Sequence, residues 1–420
     1  MSGLRVRQVR AGWAAVVLAW VGVAAAVAEL EEVRLESRVS GVQPMTGLVL
    51  WSTHESVATE AVQLEFAYLK YSELVSQRGR YDWSALEELL AAAAARHHQL
   101  ILRMHFVYPG REAGVPEYIR QLAGYRETRA LSEGKLTGFC DWSHPDLQAF
   151  LFEFHSEFAK RYDQDRRLAF YQTGFGLWAE YHIYDGPMEL GKTFPDLALQ
   201  ERFARHLAGV FKHLPWSISV DAASRTAAPF AASPQLLALN FGVFDDSFLC
   251  KKHAQENAKN WQALDPLRWQ RAPAGGEFSY FSKRDQKLAL AANGPHGVPF
   301  EKAAADFHLT YIIANDQPEH ASLKRMREAG LALGYRFAIT RLASAPGRSE
   351  LTLTNRGIAP LYCDAFPAVN GIRSTTTLKG LLPGATLAIV IPAGGPDPRV
   401  TIECDRLVPG QRIEFDAALE

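Results

Sequence analysis

Glu180 and Glu277 are the two residues whose type and setting best suit bond-breaking chemistry in this chain. Glu180 lies near the end of an apolar, aromatic-rich run, Ala169 to His182 (AFYQTGFGLWAEYH), in which Trp178, Glu180 and His182 alternate with Ala179 and Tyr181. On an extended strand that spacing puts the indole, the carboxyl and the imidazole on one face. Glu277 follows Gly275 and Gly276, two residues that would let a substrate approach the backbone closely. Hydrolysis of a glycosidic bond needs one protonated carboxyl to assist the leaving oxygen and a second, ionised one to attack or to activate water. An apolar neighbour such as Trp178 raises a carboxyl pKa by desolvation, so the pattern predicts Glu180 as the acid and Glu277 as the nucleophile. The blander alternative is a buried ion-paired acid for Glu180 and a solvated loop acid for Glu277.

Further candidates stand near the same predicted strand ends: Glu65, Tyr68, Arg103, His105, Asp221, Asp245 and Asp246. Arg103 and His105 alternate and could steady a carboxylate or a sugar hydroxyl, although Arg103 equally fits an ion pair with Glu65. Tyr68 and Trp178 could stack on a pyranose ring, and His182 could orient Glu180. The predicted binding set is therefore Glu65, Tyr68, Arg103, His105, Trp178, His182, Asp221 and Asp245. Metal ligation by His182 is the weaker reading of a lone strand histidine, so no metal and no cofactor are expected. Gly174 to Ala179 fits the letter of G-x-G-x-x-A, but loop-like sequence follows where a dinucleotide site would need a helix to open. A serine-hydrolase elbow, a P-loop and H-E-x-x-H are all absent.

The elements that must position these residues alternate between strand and helix. Strand patterns occur at Gly47 to Trp51, Val62 to Tyr68, Gln99 to Val107, Ala169 onward, Trp216 to Val220, Leu237 to Phe244, Gln270 to Phe278 and His308 to Ile313. Helical spacing runs on from Ser84, from Ser143, over Ala198 to His213 and over Glu301 to Phe307, with Ser84 and Glu87 spaced as a capping box. This order predicts an α/β fold, a (β/α)8 TIM-like barrel over residues 29–334, with an open doubly wound sheet as the runner-up. From 335 to 420, short alternating runs separated by Pro-Gly turns predict a C-terminal antiparallel β-sandwich, more a brace than a glycan-binding module.

The chain has 420 residues with 45 basic and 46 acidic ones, a balance that gives no basic face for nucleic acid. Arg5, Arg7 and Arg10 precede an apolar run from Ala11 to Val27 that ends in Ala26-Val27-Ala28. This is the pattern of a signal peptide over residues 1–28, cleaved near Ala28, and predicts a secreted or periplasmic protein without stable membrane insertion. Of the four cysteines, Cys140, Cys250, Cys363 and Cys404, none has zinc-site spacing. Free buried thiols are expected, with a Cys363–Cys404 bridge as the alternative.

With these residues in view, the chain resembles the exported bacterial proteins grouped as the domain-of-unknown-function 4832 family. The likeness rests on Leu64-Glu65-Phe66-Ala67-Tyr68, Tyr81-Asp82-Trp83, Arg103 with Tyr108-Pro109-Gly110, Gly174 to His182, and Gly276-Glu277. It implies a glycosidase-type barrel with a β-sandwich behind it. More broadly the chain is similar to clan A glycoside hydrolases, which implies retention, with Glu180 as acid/base and Glu277 as nucleophile. Ala179 stands where that clan typically has the asparagine that holds the sugar 2-hydroxyl. The expected partner is a carbohydrate. Two other classes remain open: a non-catalytic glycan-binding protein, and a polysaccharide lyase in which Arg103 and His105 neutralise a uronate while Tyr68 or His182 abstracts a proton.

Overall fold

The computed structural model describes residues 29–419; the leader expected over 1–28 lies outside the described residues. Eight parallel strands close into a ring, each paired with its neighbours in sequence. They are β1 Gly47–Trp51, β2 Leu64–Lys70, β3 Gln99–His105, β4 Leu168–Thr173, β5 Trp216–Ser219, β6 Gly242–Phe248, β7 Ala274–Phe278 and β8 Tyr311–Ile313. Pairing of β8 with β1, Tyr311 opposite Gly47, completes the ring and excludes an open sheet. In β3 every residue from Gln99 to His105 is buried, because a barrel strand faces side chains within and helices without.

Among the described residues, the helices of seven residues or more are α1 Ser84–Ala95, α2 Pro145–Tyr162, α3 Leu197–Val210, α4 Ala254–Ala263, α5 Phe300–Asp306 and α6 Leu323–Leu331. The eightfold alternation is incomplete. Among the described residues no helix intervenes between β1 and β2, and β5 is followed by short turns and the single helical turn Pro234–Leu237. Leu237, expected to begin the sixth strand, closes that turn, and β6 starts later, at Gly242. In α2, Pro145 presets the first turn, the His144 side chain accepts from the Asp146 N–H, and Leu147, Phe150, Leu151, Phe154 and Phe158 form the buried stripe. The capping box expected at α1 does not form. The Asp82 carboxylate accepts from the Ser84 N–H at 3.0 Å, and Glu87 instead meets Arg161, Arg167 and Tyr162.

Beyond the barrel, β9 Phe337–Ala345, β10 Arg348–Asn355, β11 Phe366–Val369, β12 Ile372–Arg373, β13 Thr386–Ile391, β14 Val400–Glu403 and β15 Phe415–Leu419 form two sheets. One runs β13-β10-β9-β15 and the other β12-β11-β14. The chain ahead of the barrel belongs here too: Leu35–Ser37 pairs with β15 and Glu31–Glu32 with β9. The sandwich is thus built from both ends of the described chain, because β15 leaves an edge whose amides and carbonyls need partners.

The sandwich seals the N-terminal end of the barrel. One apolar cluster runs from Val49, Leu64, Phe66, Ile101 and Phe170 on barrel strands to Phe337, Ile339, Leu353, Ile389 and Ile402 on the sheets. Polar contacts flank it: Arg406 Nη2 donates to the Leu168 carbonyl at 2.7 Å, and Gln99 Nε2 donates to the Arg406 carbonyl at 2.8 Å. The opposite end, where β/α connections begin, stays open. No helix among the described residues is long and apolar enough to cross a membrane.

Candidate active site

The segment carrying Trp178, Glu180 and His182 is not a strand. β4 stops at Thr173, and residues 174–182 fold back into a compact loop. The Phe175 and Gly176 amides both donate to the Glu180 carbonyl, at 3.2 and 2.8 Å, and the Leu177 amide donates to that of His182 at 3.1 Å. Gly174 and Gly176 make the fold-back possible, since a Cβ on either would collide with the carbonyl of Ala179 or His182. Trp178 and Ala179 sit in the left-handed region with φ of 53° and 62°. Such a backbone is costly for residues with a Cβ and concentrates at working sites. The three side chains converge through this loop, not through strand alternation.

Arg103 is the hub beneath them. Fully buried on β3, it donates from Nε to Gln172 Oε1 at 2.6 Å and from Nη1 to the Tyr68 hydroxyl at 3.0 Å. The same Nη1 lies 3.6 Å from Glu180 Oε1, and the guanidinium rests 4.2 Å from the Phe244 ring centroid. The alternative pairing of Arg103 with Glu65 is not found. Glu65 is the second residue of β2, at the sealed end of the barrel, where Arg96 grips it at 2.7 and 2.6 Å and His98 at 3.0 Å. It is a structural acid remote from the mouth.

Glu180 is 3% exposed, and its Oε2 has no hydrogen-bond partner. Burial, foremost, and the nearby Asp246 charge push its pKa well above the usual carboxylate range, against the pull of Arg103. His182 Nδ1 lies 3.6 Å from Glu180 Oε2 and 3.1 Å from Asp221 Oδ2, and Asp221 also accepts from Ser219 Oγ at 3.0 Å. Burial would neutralise His182 and Asp221, but their mutual hydrogen bond and charge win: the imidazole pKa is raised and the carboxyl pKa lowered. Asp246 on β6 brings a carboxyl oxygen within 4.8 Å of one of Glu180 and is raised by burial and by Asp221. Two carboxyls that close disfavour ionising together, so Glu180 and Asp246 form a pair inclined to hold a proton.

Glu277 projects from β7 into the same electrostatic environment. Burial raises its pKa to about 7, with Arg103 opposing and Asp246 and Asp316 adding to the rise. It is not the ordinarily ionised carboxylate expected. The glycines before it serve packing: a Cβ on Gly275 would strike the Tyr311 ring, and one on Gly276 would lie 2.7 Å from the Asp245 carbonyl. His105 is driven to about 3 by burial and by the cations Arg111, Lys70 and Arg103, so it is neutral, with an unpartnered Nδ1. Tyr68 bridges Arg103 and the aromatic rings of His105 and Tyr108, 5.6 and 5.9 Å away.

Asp245 does not face the mouth. It accepts from Asn257 Nδ2 at 2.7 Å and from the Ser247 amide at 2.9 Å, and burial pushes its pKa to about 7. Its neighbour Asp246 lines the open cleft instead. The choice between adjacent acids depends on strand register, which the misplaced start of β6 obscured.

That cleft, of about 820 Å³, has His182, Asp221 and Asp246 on its floor and aromatic walls. Trp178 stacks on Tyr184 at 6.1 Å and 25° on one side, and the exposed Tyr280 and Phe281 stand among its other lining residues. Tyr184 also bonds to Glu133, at the tip of the hairpin formed by Thr128–Ser132 and Lys135–Phe139 that rises from the β3–α2 connection. Sequence reading missed Tyr184, Tyr280 and Phe281; the one available signal was aromatic residues in loops directly after predicted strands. Glu180, His182, Asp221 and Asp246 offer donor atoms within 4.8 Å of one another, a spacing that a divalent cation could span.

No protein-family model matches the chain, and no curated protein matches it. Among solved structures, a GH5_18 protein from Streptomyces cattleya in complex with GlcNAc shares 14% identity at a TM-score of 0.43, over 70% of this chain and 79% of its own. An alpha-galactosidase from Thermus thermophilus shares 13% at 0.40, over 76% and 66%. A glycoside hydrolase family 30 subfamily 8 xylanase from Clostridium acetobutylicum shares 9% at 0.37, over 86% and 98%. The fold itself is fixed by the closed ring of hydrogen-bonded strands: an eight-stranded parallel barrel carrying a β-sandwich at its sealed end.

Proposed function

We propose that this chain is an exported, glycoside-hydrolase-like enzyme that cleaves an oligo- or polysaccharide by a two-carboxylate mechanism. The observation that carries the reading is a gathering of acids at the barrel mouth around one buried guanidinium: Glu180 Oε1 lies 3.6 Å from Arg103, Asp246 offers an oxygen within 4.8 Å of Glu180, and burial raises Glu180, Asp246 and Glu277 alike. Acid-assisted glycoside cleavage requires such a site to hold a proton on one carboxyl and a charge on another. Glu180 holds the acid proton jointly with Asp246, which reaches the cleft floor and presents it to the leaving oxygen. Glu277 carries the complementary negative charge, as nucleophile in a retaining reaction. His182, locked by Asp221, keeps the imidazole against Glu180, and the aromatic walls suit the flat faces of pyranose rings.

The test is a screen of chromogenic glycosides and polysaccharides with the purified protein alongside Glu180→Gln, Asp246→Asn and Glu277→Gln. Release of reducing ends by the parent protein, lost in Glu180→Gln and Glu277→Gln, supports hydrolysis. An unsaturated, ultraviolet-absorbing product would make it a lyase. Glycan binding that persists in all three variants without any turnover would make it a binding protein.

A further inference from the structure

We propose that Cys363 and Cys404 form a redox-active dithiol, oxidised to a disulfide by an anionic low-molecular-weight disulfide that enters through an arginine-lined groove of the sandwich. This stands independently of the sugar chemistry at the other end of the barrel.

The two Sγ atoms are 3.6 Å apart, within contact, and both residues are buried. A small side-chain rotation separates that spacing from a bond, whereas Cys140 and Cys250 have no such neighbour among the described residues. The pair lies just outside the register Phe366–Glu403 that joins β11 to β14, with Met45 Sδ 3.8 Å from Cys363, beside the chain entering β1. A bond there would close a loop of 41 positions and tie the start of β11 to the end of β14.

Access differs between the two: Cys363 borders only a crevice of about 10 Å³, too small to admit a reagent. Cys404 lines a groove of about 730 Å³ together with Arg38, Arg166 and Arg399, all exposed. The other lining arginines are neutralised, Arg373 by Glu403 and Asp405 and Arg412 by Glu414, but those three have no carboxylate in ion-pair reach among the described residues. Their field favours an anionic reagent. Cys404 borders the groove that Cys363 does not reach, which makes Cys404 the attacking sulfur, and Arg406 favours its thiolate. The Cys404 thiolate attacks one sulfur of the reagent and expels a thiolate. Cys363 then loses its proton, attacks Cys404 Sγ in the mixed disulfide and expels the second. Two protons and two electrons leave the protein, and the reagent disulfide is reduced to two thiols.

The experiment incubates reduced full-chain protein with oxidised glutathione, or with the cationic disulfide cystamine, and counts free thiols in denaturant. Two of the four thiols should be lost to glutathione. Peptide mapping should join Cys363 to Cys404, the rate with cystamine should be severalfold lower, and Tm should rise by about 5 °C. Cys250→Ser should still lose two thiols, and Cys363→Ser should form no intramolecular bridge. Retention of all four thiols, or a bridge elsewhere, overturns the assignment, and equal rates with the two reagents overturn the groove's part in it. The thiol count on the parent protein decides the matter even where a variant fails to fold.

Discussion

The two ends of the barrel bury charge in opposite ways. At the sealed end Glu65 is wholly enclosed, yet Arg96 and His98 between them engage both its oxygens, and its pKa falls despite burial. At the open end Arg103 is shared among Tyr68, Gln172 and Glu180, while Arg103 Nη2, His105 Nδ1 and Glu180 Oε2 are buried without partners. Glu180, Asp246 and Glu277 all titrate above the normal range there. The first arrangement holds a fold together. The second is electrostatically expensive, held in place by a loop with two left-handed residues, and leaves hydrogen-bonding capacity unspent. Charged groups with unspent hydrogen-bonding atoms at the mouth, against a carboxylate engaged at both oxygens at the base, are the reason the proposed site is placed at the mouth.

The contrast can be broken most sharply by exchanging carboxyl for amide at each end. Glu277→Gln and Glu180→Gln should each lower turnover by about 10³-fold with the fold intact, measured by steady-state kinetics and circular dichroism. Glu65→Ala should do the reverse, costing about 3 kcal/mol of stability by stranding Arg96 and His98, with activity per folded molecule unchanged. If Glu65→Ala abolishes turnover in protein that is still folded, the division between the ends is wrong.

Protonation sharpens the same comparison. Activity should climb as Glu277 ionises through about pH 7 and fall as the Glu180–Asp246 pair, raised above the ordinary carboxylate range, loses its proton. A pH–rate profile with its acid limb near 4 would show that Glu277 is an ordinary carboxylate. Stability follows by linkage. The folded pKa of Glu277 is raised above its unfolded value, so its stabilising contribution is present below about pH 4 and is lost as pH rises through about 7. Glu277→Gln should therefore match the parent in Tm at pH 4 and exceed it at pH 8. Glu65, whose folded pKa is lowered, contributes above its unfolded pKa and loses that contribution on acidification.

Smaller effects belong to the cleft walls and floor. Tyr184→Ala should raise KM severalfold, about 1 kcal/mol of stacking, with little change in kcat. Dialysis against a chelator should leave turnover unaltered if the floor acids hold a proton. Loss of activity restored by manganese would instead assign Glu180, His182, Asp221 and Asp246 to a cation.

Much of the barrel was legible because a parallel strand buried on both faces reads as an apolar run, as Gln99 to His105 does, and amphipathic helices such as Pro145–Tyr162 repeat at helical spacing. The sandwich strands alternate visibly, but pairing of Leu35–Ser37 with Phe415–Leu419 is a contact between distant segments that no local pattern encodes. At the candidate site, Glu180, Glu277, Arg103, Tyr68 and His182 were picked out by residue type, and Arg103 touches Tyr68 and lies near Glu180. Three errors share one cause: Glu65 at the wrong end, Asp245 in place of Asp246, and Trp178-Glu180-His182 read as a strand each depended on where a strand begins or ends. A shift of one residue exchanges faces and a shift of several exchanges barrel ends, whereas apolar patterning constrains strand limits only loosely.

The central claim is best tested by carbon-13 NMR of protein labelled at glutamate side-chain carboxyls, titrated from acid to alkaline pH, with Glu180→Gln and Glu277→Gln for assignment. One resonance should move near pH 7 and vanish in Glu277→Gln, and one should move well above the ordinary carboxylate range and vanish in Glu180→Gln. Both resonances titrating near pH 4 would contradict it.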